Sequence, residues 1–147
     1  MTQQQTEKKR IFVVNSELIQ YEDLVKGAES KIKVRYLIDE RHGSDRFALR
    51  LYTLEKGGHT PLDKHEYEHQ VYILKGQGVL REVREGVPAL RALRQDDAIF
   101  IPSDALHQFI NEHEEPLLFL CVKGNPALYK SGSHYEVGTD QGPACAC

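Results

Sequence analysis

The sequence predicts an all-β domain, an antiparallel sandwich or barrel, and three observations lead there. From Ile32 onward, apolar residues fall in short runs of about five to nine residues, the usual length of a strand. Clusters of Gly, Pro, Asn and Asp separate those runs at regular spacing. No helix-length periodic segment lies between them. The 147 residues are enough for one domain with a real core, and neither an internal repeat nor a linker divides them.

In chain order, residues 1–10 (MTQQQTEKKR) are polar and read as a disordered arm. Ile11 to Val14 is a short apolar stretch, and Glu17 to Leu24 predicts one or two helical turns with Ser16 as N-cap. The strands follow as IKVRYLI, RFALRLYTL, HQVYILKG, GVLREVR, PALRALR, DAIFIP, HQFIN and PLLFLCVK. Turns fall at Gly57-Gly58, Gly76-Gln77-Gly78, Glu85-Gly86-Val87-Pro88, Gln95-Asp96-Asp97 and Pro102-Ser103-Asp104. After Lys123 the chain becomes polar and turn-rich and reads as a trailing arm. One domain is expected over residues 11–130, with a tail over 131–147.

Composition narrows the function classes. With 40% hydrophobic residues, 28% charged residues and a net charge of -3, the chain offers no basic surface for a nucleic acid, and none is expected as partner. No apolar run reaches the roughly 20 residues of a membrane span, and the polar start lacks the apolar core of a secretory signal. A cytoplasmic location is expected. Of three cysteines, Cys121 sits in the apolar run LLFLCV and reads as a core thiol, while Cys145 and Cys147 end the chain. An odd count without an export signal argues against a disulfide scaffold. Two thiols on a loose tail are half of a zinc site, or simply an unstructured end.

The chemistry-bearing stretch is TPLDKHEYEH, Thr60 to His69. Side chains alternate along a strand, so Asp63, His65, Tyr67, His69, Val71 and Ile73 share one face if the segment stays extended. Imidazole and carboxylate are donors for first-row transition metals. His107, which opens HQFIN, would join them if a barrel closes the gap. The competing reading makes these histidines polar groups at strand edges.

Two motifs then carry a resemblance to the cupin superfamily. GGHTPLDKHEYEHQVYILKG, Gly57 to Gly76, resembles the first cupin motif, and DDAIFIPSDALHQFIN, Asp96 to Asn111, resembles the second. His65, Gly76, Pro102, His107 and Asn111 fall in the family spacing, and the likeness covers roughly residues 32–123. Asp96 and Asp104 replace motif glycines, which bears on turn geometry. His69 stands where the commoner pattern has glutamate, as in a subgroup of small cupins that bind metal with four histidines. Asp63 replaces the first histidine. The resemblance implies a double-stranded β-helix (jelly-roll) barrel with short flexible arms. It also implies one divalent transition metal ion per chain, held by Asp63, His65, His69 and His107, or by the histidines with Asp63 behind them. Manganese or iron would suit a carboxylate-containing site, with zinc, nickel or copper as alternatives. A homodimer is implied too, with Ile11 to Val14 as an exchanged strand.

Arg50, on the parity of Ala48, Tyr52 and Leu54, is a solvent-facing charge or a guanidinium placed to fork a substrate carboxylate. Phe109, Phe119 and Cys121 are core residues that could also wall the pocket. His42, His59, His113 and His134 lie in turns or polar surroundings and receive no role. Three functions remain open at this stage. One is a metalloenzyme on a small-molecule ligand, oxidoreductase of dioxygenase type or isomerase/lyase. The second is a non-catalytic ligand-binding or sensor protein, supported by the lack of an obvious general base. The third is a metal-handling protein using Cys145 and Cys147.

Overall fold

The computed structural model describes residues 9–24, 31–128 and the backbone of 134–136. Eleven strands build it: β1 (Glu22–Asp23), β2 (Ile32–Ile38), β3 (Phe47–Leu54), β4 (Asp63–His65), β5 (His69–Lys75), β6 (Gln77–Arg84), β7 (Val87–Arg94), β8 (Ala98–Ile101), β9 (Leu106–Ile110), β10 (Leu117–Gly124) and β11 (His134–Glu136). They form a six-stranded sheet in the order β1-β2-β3-β10-β5-β8 and a five-stranded sheet in the order β11-β4-β9-β6-β7. Each strand pairs antiparallel with its neighbours. This is the all-β jelly-roll barrel that the motifs imply.

Alternation explains the layers. In β10 the residues Leu117, Phe119 and Cys121 are buried while their neighbours are half-exposed, the period-two pattern of a sheet with one dry face. The dry faces meet in a core of Val34, Tyr52, Leu54, Val71, Ile73, Leu80, Phe109, Leu117 and Phe119, among others. Its centre is an aromatic stack: Tyr52 lies on Phe119 at 5.1 Å between ring centres, and Phe119 on Phe109 at 4.8 Å.

The motif positions hold turns. Gly76 has φ 86°, and a Cβ there would come within 2.4 Å of the Pro116 carbonyl oxygen, so only glycine fits. Asp96 and Asp104 adopt φ 71° and 62°. That is left-handed space in which aspartate is among the better-tolerated non-glycine residues. The aspartates thus keep the turn shape of the glycines they replace. Asn111 is a brace: its Nδ2 donates to the carbonyls of Leu54 and Glu115.

Two expectations change. The helix over Glu17 to Leu24 is only a 3-10 turn over Ser16–Leu18, and its cap is Asn15, whose side chain accepts the Glu17 N–H. The chain then pairs as β1 with β2, so strand pairing leaves no room for a second turn. Within the stretch read as a trailing arm, His134–Glu136 pairs with β4 and adds an edge strand. Cys145 and Cys147 lie outside the described residues, as do residues 1–8 of the N-terminal arm. Among the described residues no helix is long and apolar enough to cross a membrane.

Candidate metal centre

His65 ends β4, His69 begins β5 and His107 lies in β9; all three are buried, at 2%, 1% and 4% exposure. The condition for a shared strand face, that the segment from Asp63 to Ile73 stays extended, is not met. The chain bends at Glu66 and Tyr67 and passes from the five-stranded to the six-stranded sheet. His65 and His69 therefore meet because they face one interior from opposite sheets, not because they share a strand face.

One donor atom from each of the three imidazoles lies within 4.8 Å of the others, and among the described residues this is the one such group of three or more. The ring centres stand 4.8 Å apart for His65 and His69, 5.7 Å for His65 and His107, and 5.6 Å for His69 and His107. Second contacts orient two of the rings. Nδ1 of His107 lies 2.7 Å from the Ala105 carbonyl oxygen. A carbonyl only accepts, so Nδ1 carries the hydrogen and Nε2 keeps the lone pair for an ion. Nδ1 of His69 lies 3.4 Å from Cys121 Sγ, a contact that orients the ring and in which either atom can carry the hydrogen. Three buried imidazoles, two of them oriented through Nδ1, make a donor set that could hold a metal ion.

Asp63 is buried, lies opposite His107 in the β4–β9 register, and accepts the Lys64 backbone N–H at 2.9 Å. The converging group itself comprises the three imidazoles. Arg50 is 1% exposed, so its guanidinium belongs to the interior; NH2 lies 3.6 Å from Cys121 Sγ, and the group sits 5.4 Å from the Tyr52 ring centre. Phe109 and Phe119 belong to the buried stack described above, and the His107 ring meets Phe109 edge-on at 6.2 Å. Cys121 is fully buried beside His69.

Sequence reasoning passed over three residues. Tyr67 is fully buried and stacks on His65 at 4.7 Å with the rings 7° from parallel; its parity with His65 was the available signal. The Lys123 ammonium lies 5.2 Å from the Tyr67 ring centre. Glu82 is the register partner of His107 on β6. It lines, with His107, Leu80 and Ile101, a cleft of about 460 Å3 between the β7 and β8 edges. Only the strand register could have revealed it.

The cupin domain model matches residues 50–123, half of the sequence and both motif segments. The chain belongs to the cupin family. This cupin is 38% identical over 74 residues to 1-methylthio-D-xylulose 5-phosphate methylsulfurylase of Rhodospirillum rubrum. That match covers 50% of the chain and only 45% of the relative. Among solved structures, the polyketide cyclase RemF of Streptomyces resistomycificus superposes with a TM-score of 0.70 at 29% identity, over 78% of this chain and 80% of that one. A cupin-2 domain from Rhodospirillum rubrum gives 0.65 at 26% identity, over 90% and 85%. The likeness to the four-histidine subgroup narrows here to three converging histidines.

Proposed function

We propose that this cupin is a metalloenzyme that acts on a small carbonyl-bearing organic molecule, with isomerase- or lyase-type chemistry. The observation that carries the reading is the convergence of His65, His69 and His107 within 4.8 Å, beside a cleft that His107 lines. A divalent ion held there supplies Lewis-acid polarisation of a carbonyl or enol oxygen. The names of two similar proteins support that substrate class, since a xylulose phosphate and a polyketide both carry ketones.

The chain's own residues divide the work. The three imidazoles hold the ion. Asp63 joins them directly or sets the charge behind His107, and a carboxylate in the set would favour manganese or iron over zinc, nickel or copper. Glu82, facing the cleft opposite His107 and 3.4 Å from the Arg84 Nε, is the carboxylate that can take or return a substrate proton. The aromatic wall of Phe109 and Phe119 keeps the centre dry. Cytoplasmic residence and a homodimer complete the proposal; exposed Ile11 and Val13 support the second.

Full-length protein loaded in turn with manganese, iron and zinc should convert a member of a panel of ketose phosphates and β-diketones under argon. Turnover only in air, with oxygen consumed, would replace this reading by a dioxygenase. Metal-dependent ligand binding without turnover would replace it by a sensor.

A further inference from the structure

We propose that a second cavity, on the β3–β10 side of the metal centre, is an oxyanion subsite. There Arg50 and Lys123 bind the carboxylate or phosphate of a small anionic substrate. The proposal takes its substrate from the reading above, but the binding it asserts does not need the metal.

The register places the two cations together. Arg50 pairs with Cys121 across the β3–β10 ladder, and Lys123 lies two residues further along β10. Residues two apart share a face, so both side chains start from the same side of the sheet as diagonal neighbours, about 7–8 Å apart. Both line one cavity of about 410 Å3 whose rim includes Tyr36, Ser44 and Asn125. That is the size of a small-molecule site. Its chemistry suits an oxyanion through a planar guanidinium fork and an ammonium, while the Ser44 hydroxyl and the Asn125 amide donate to the Phe47 and Asp45 carbonyls and shape the rim.

The acidic rim residues do not cancel this. Both oxygens of Asp39 are held in the fork of Arg41, at 3.0 Å from Nε and 2.9 Å from NH2. Glu40 is exposed at the outer edge.

Each cation is also one residue removed from a candidate ligand. Arg50 touches Cys121, which touches His69. Lys123 lies over Tyr67, which stacks on His65. Tyr67 and Cys121 are fully buried and none of the three histidines lines this cavity, so an anion held by the pair would sit one layer of side chains from the centre.

Calorimetric titration of the full chain, metal-free and zinc-loaded, with inorganic phosphate and separately with oxalate tests this. Saturable binding of either anion by the metal-free chain is expected, and the preferred one identifies the headgroup. Lys123→Met and Arg50→Lys should each weaken it about tenfold or more, the loss of one charge-assisted contact. Lys56→Met, at an exposed lysine paired with Glu114 outside both cavities, should leave it unchanged. Lys123 is half-buried, so that variant remains informative if Arg50→Lys fails to fold. No saturable binding of either anion, or equal weakening by Lys56→Met, would overturn the proposal. Anion binding by a chain that takes up no metal would leave it standing and remove the metalloenzyme reading instead.

Discussion

The Nδ1 of His69 lies 3.4 Å from the Sγ of Cys121, which places a fully buried thiol directly behind one of the three imidazoles. A group in that position holds the ring's orientation, and loss of such partners typically lowers metal affinity about 10- to 100-fold. Cys121→Ala should therefore weaken metal binding within that range, read by competition with a chelator. Cys121→Ser should recover most of the loss, because the hydroxyl can take the thiol's place. Unchanged affinity in Cys121→Ala would show that the thiol is packing alone.

A second prediction concerns the turn that frames the oxyanion cavity. The Asp39 carboxyl is held below its ordinary value of 3.8, chiefly by its hydrogen bond from the Arg41 side chain. A carboxyl with a depressed folded-state value binds its proton more weakly folded than unfolded. Its contribution to stability is therefore complete above the ordinary value and is lost as pH falls through the lowered one. Asp39→Asn, which keeps a capping oxygen, should cost about 0.5 kcal/mol at neutral pH. Denaturant unfolding at a series of pH values should show that difference shrinking only under strongly acid conditions. A difference that grows on acidification would contradict the sign.

The N-terminal segment predicts self-association. Ile11, Val13 and Leu18 are 97%, 87% and 81% exposed, while Phe12 is anchored by stacking on His42 at 4.4 Å. Apolar side chains presented together on an anchored segment fit the sheet of a second copy. Sedimentation of the wild type should show a dimer, and the double substitution Ile11→Asp with Val13→Asp a monomer with unchanged metal content. A monomeric wild type at high concentration would remove the homodimer.

Much of the fold was legible because strand alternation is written residue by residue. The run IKVRYLI coincides with β2, and the other strand runs differ from β3 and β5 to β10 by a residue or so at their ends. The site was only partly legible. His65 and His69 converge as expected, but across a change of sheet that spacing does not encode, since a bend at Glu66–Tyr67 breaks the period. Arg50 was placed on the parity of Tyr52, and both are buried. Glu82 and Lys123 stayed hidden because their meaning depends on which strands pair, a long-range property. The helix expected after Ser16 fails for a related reason: β1 finds a partner strand, and pairing overrides local propensity.

The fate of Asp63 is decided by comparison with the histidines. It is buried opposite His107, with one oxygen on the Lys64 N–H. If it completes the donor set, Asp63→Ala should abolish stoichiometric metal as fully as His107→Ala does. If it acts behind His107, the ion should remain with affinity reduced about 10- to 100-fold.

The most direct measurement is the metal content of the purified full chain by elemental analysis, beside that of His65→Ala, His69→Ala and His107→Ala. The account predicts about one divalent transition metal ion per wild-type chain, and loss of stoichiometric metal in each histidine variant while circular dichroism shows the β fold retained. A folded wild type that holds no metal after reloading with manganese, iron, nickel, copper or zinc would contradict it.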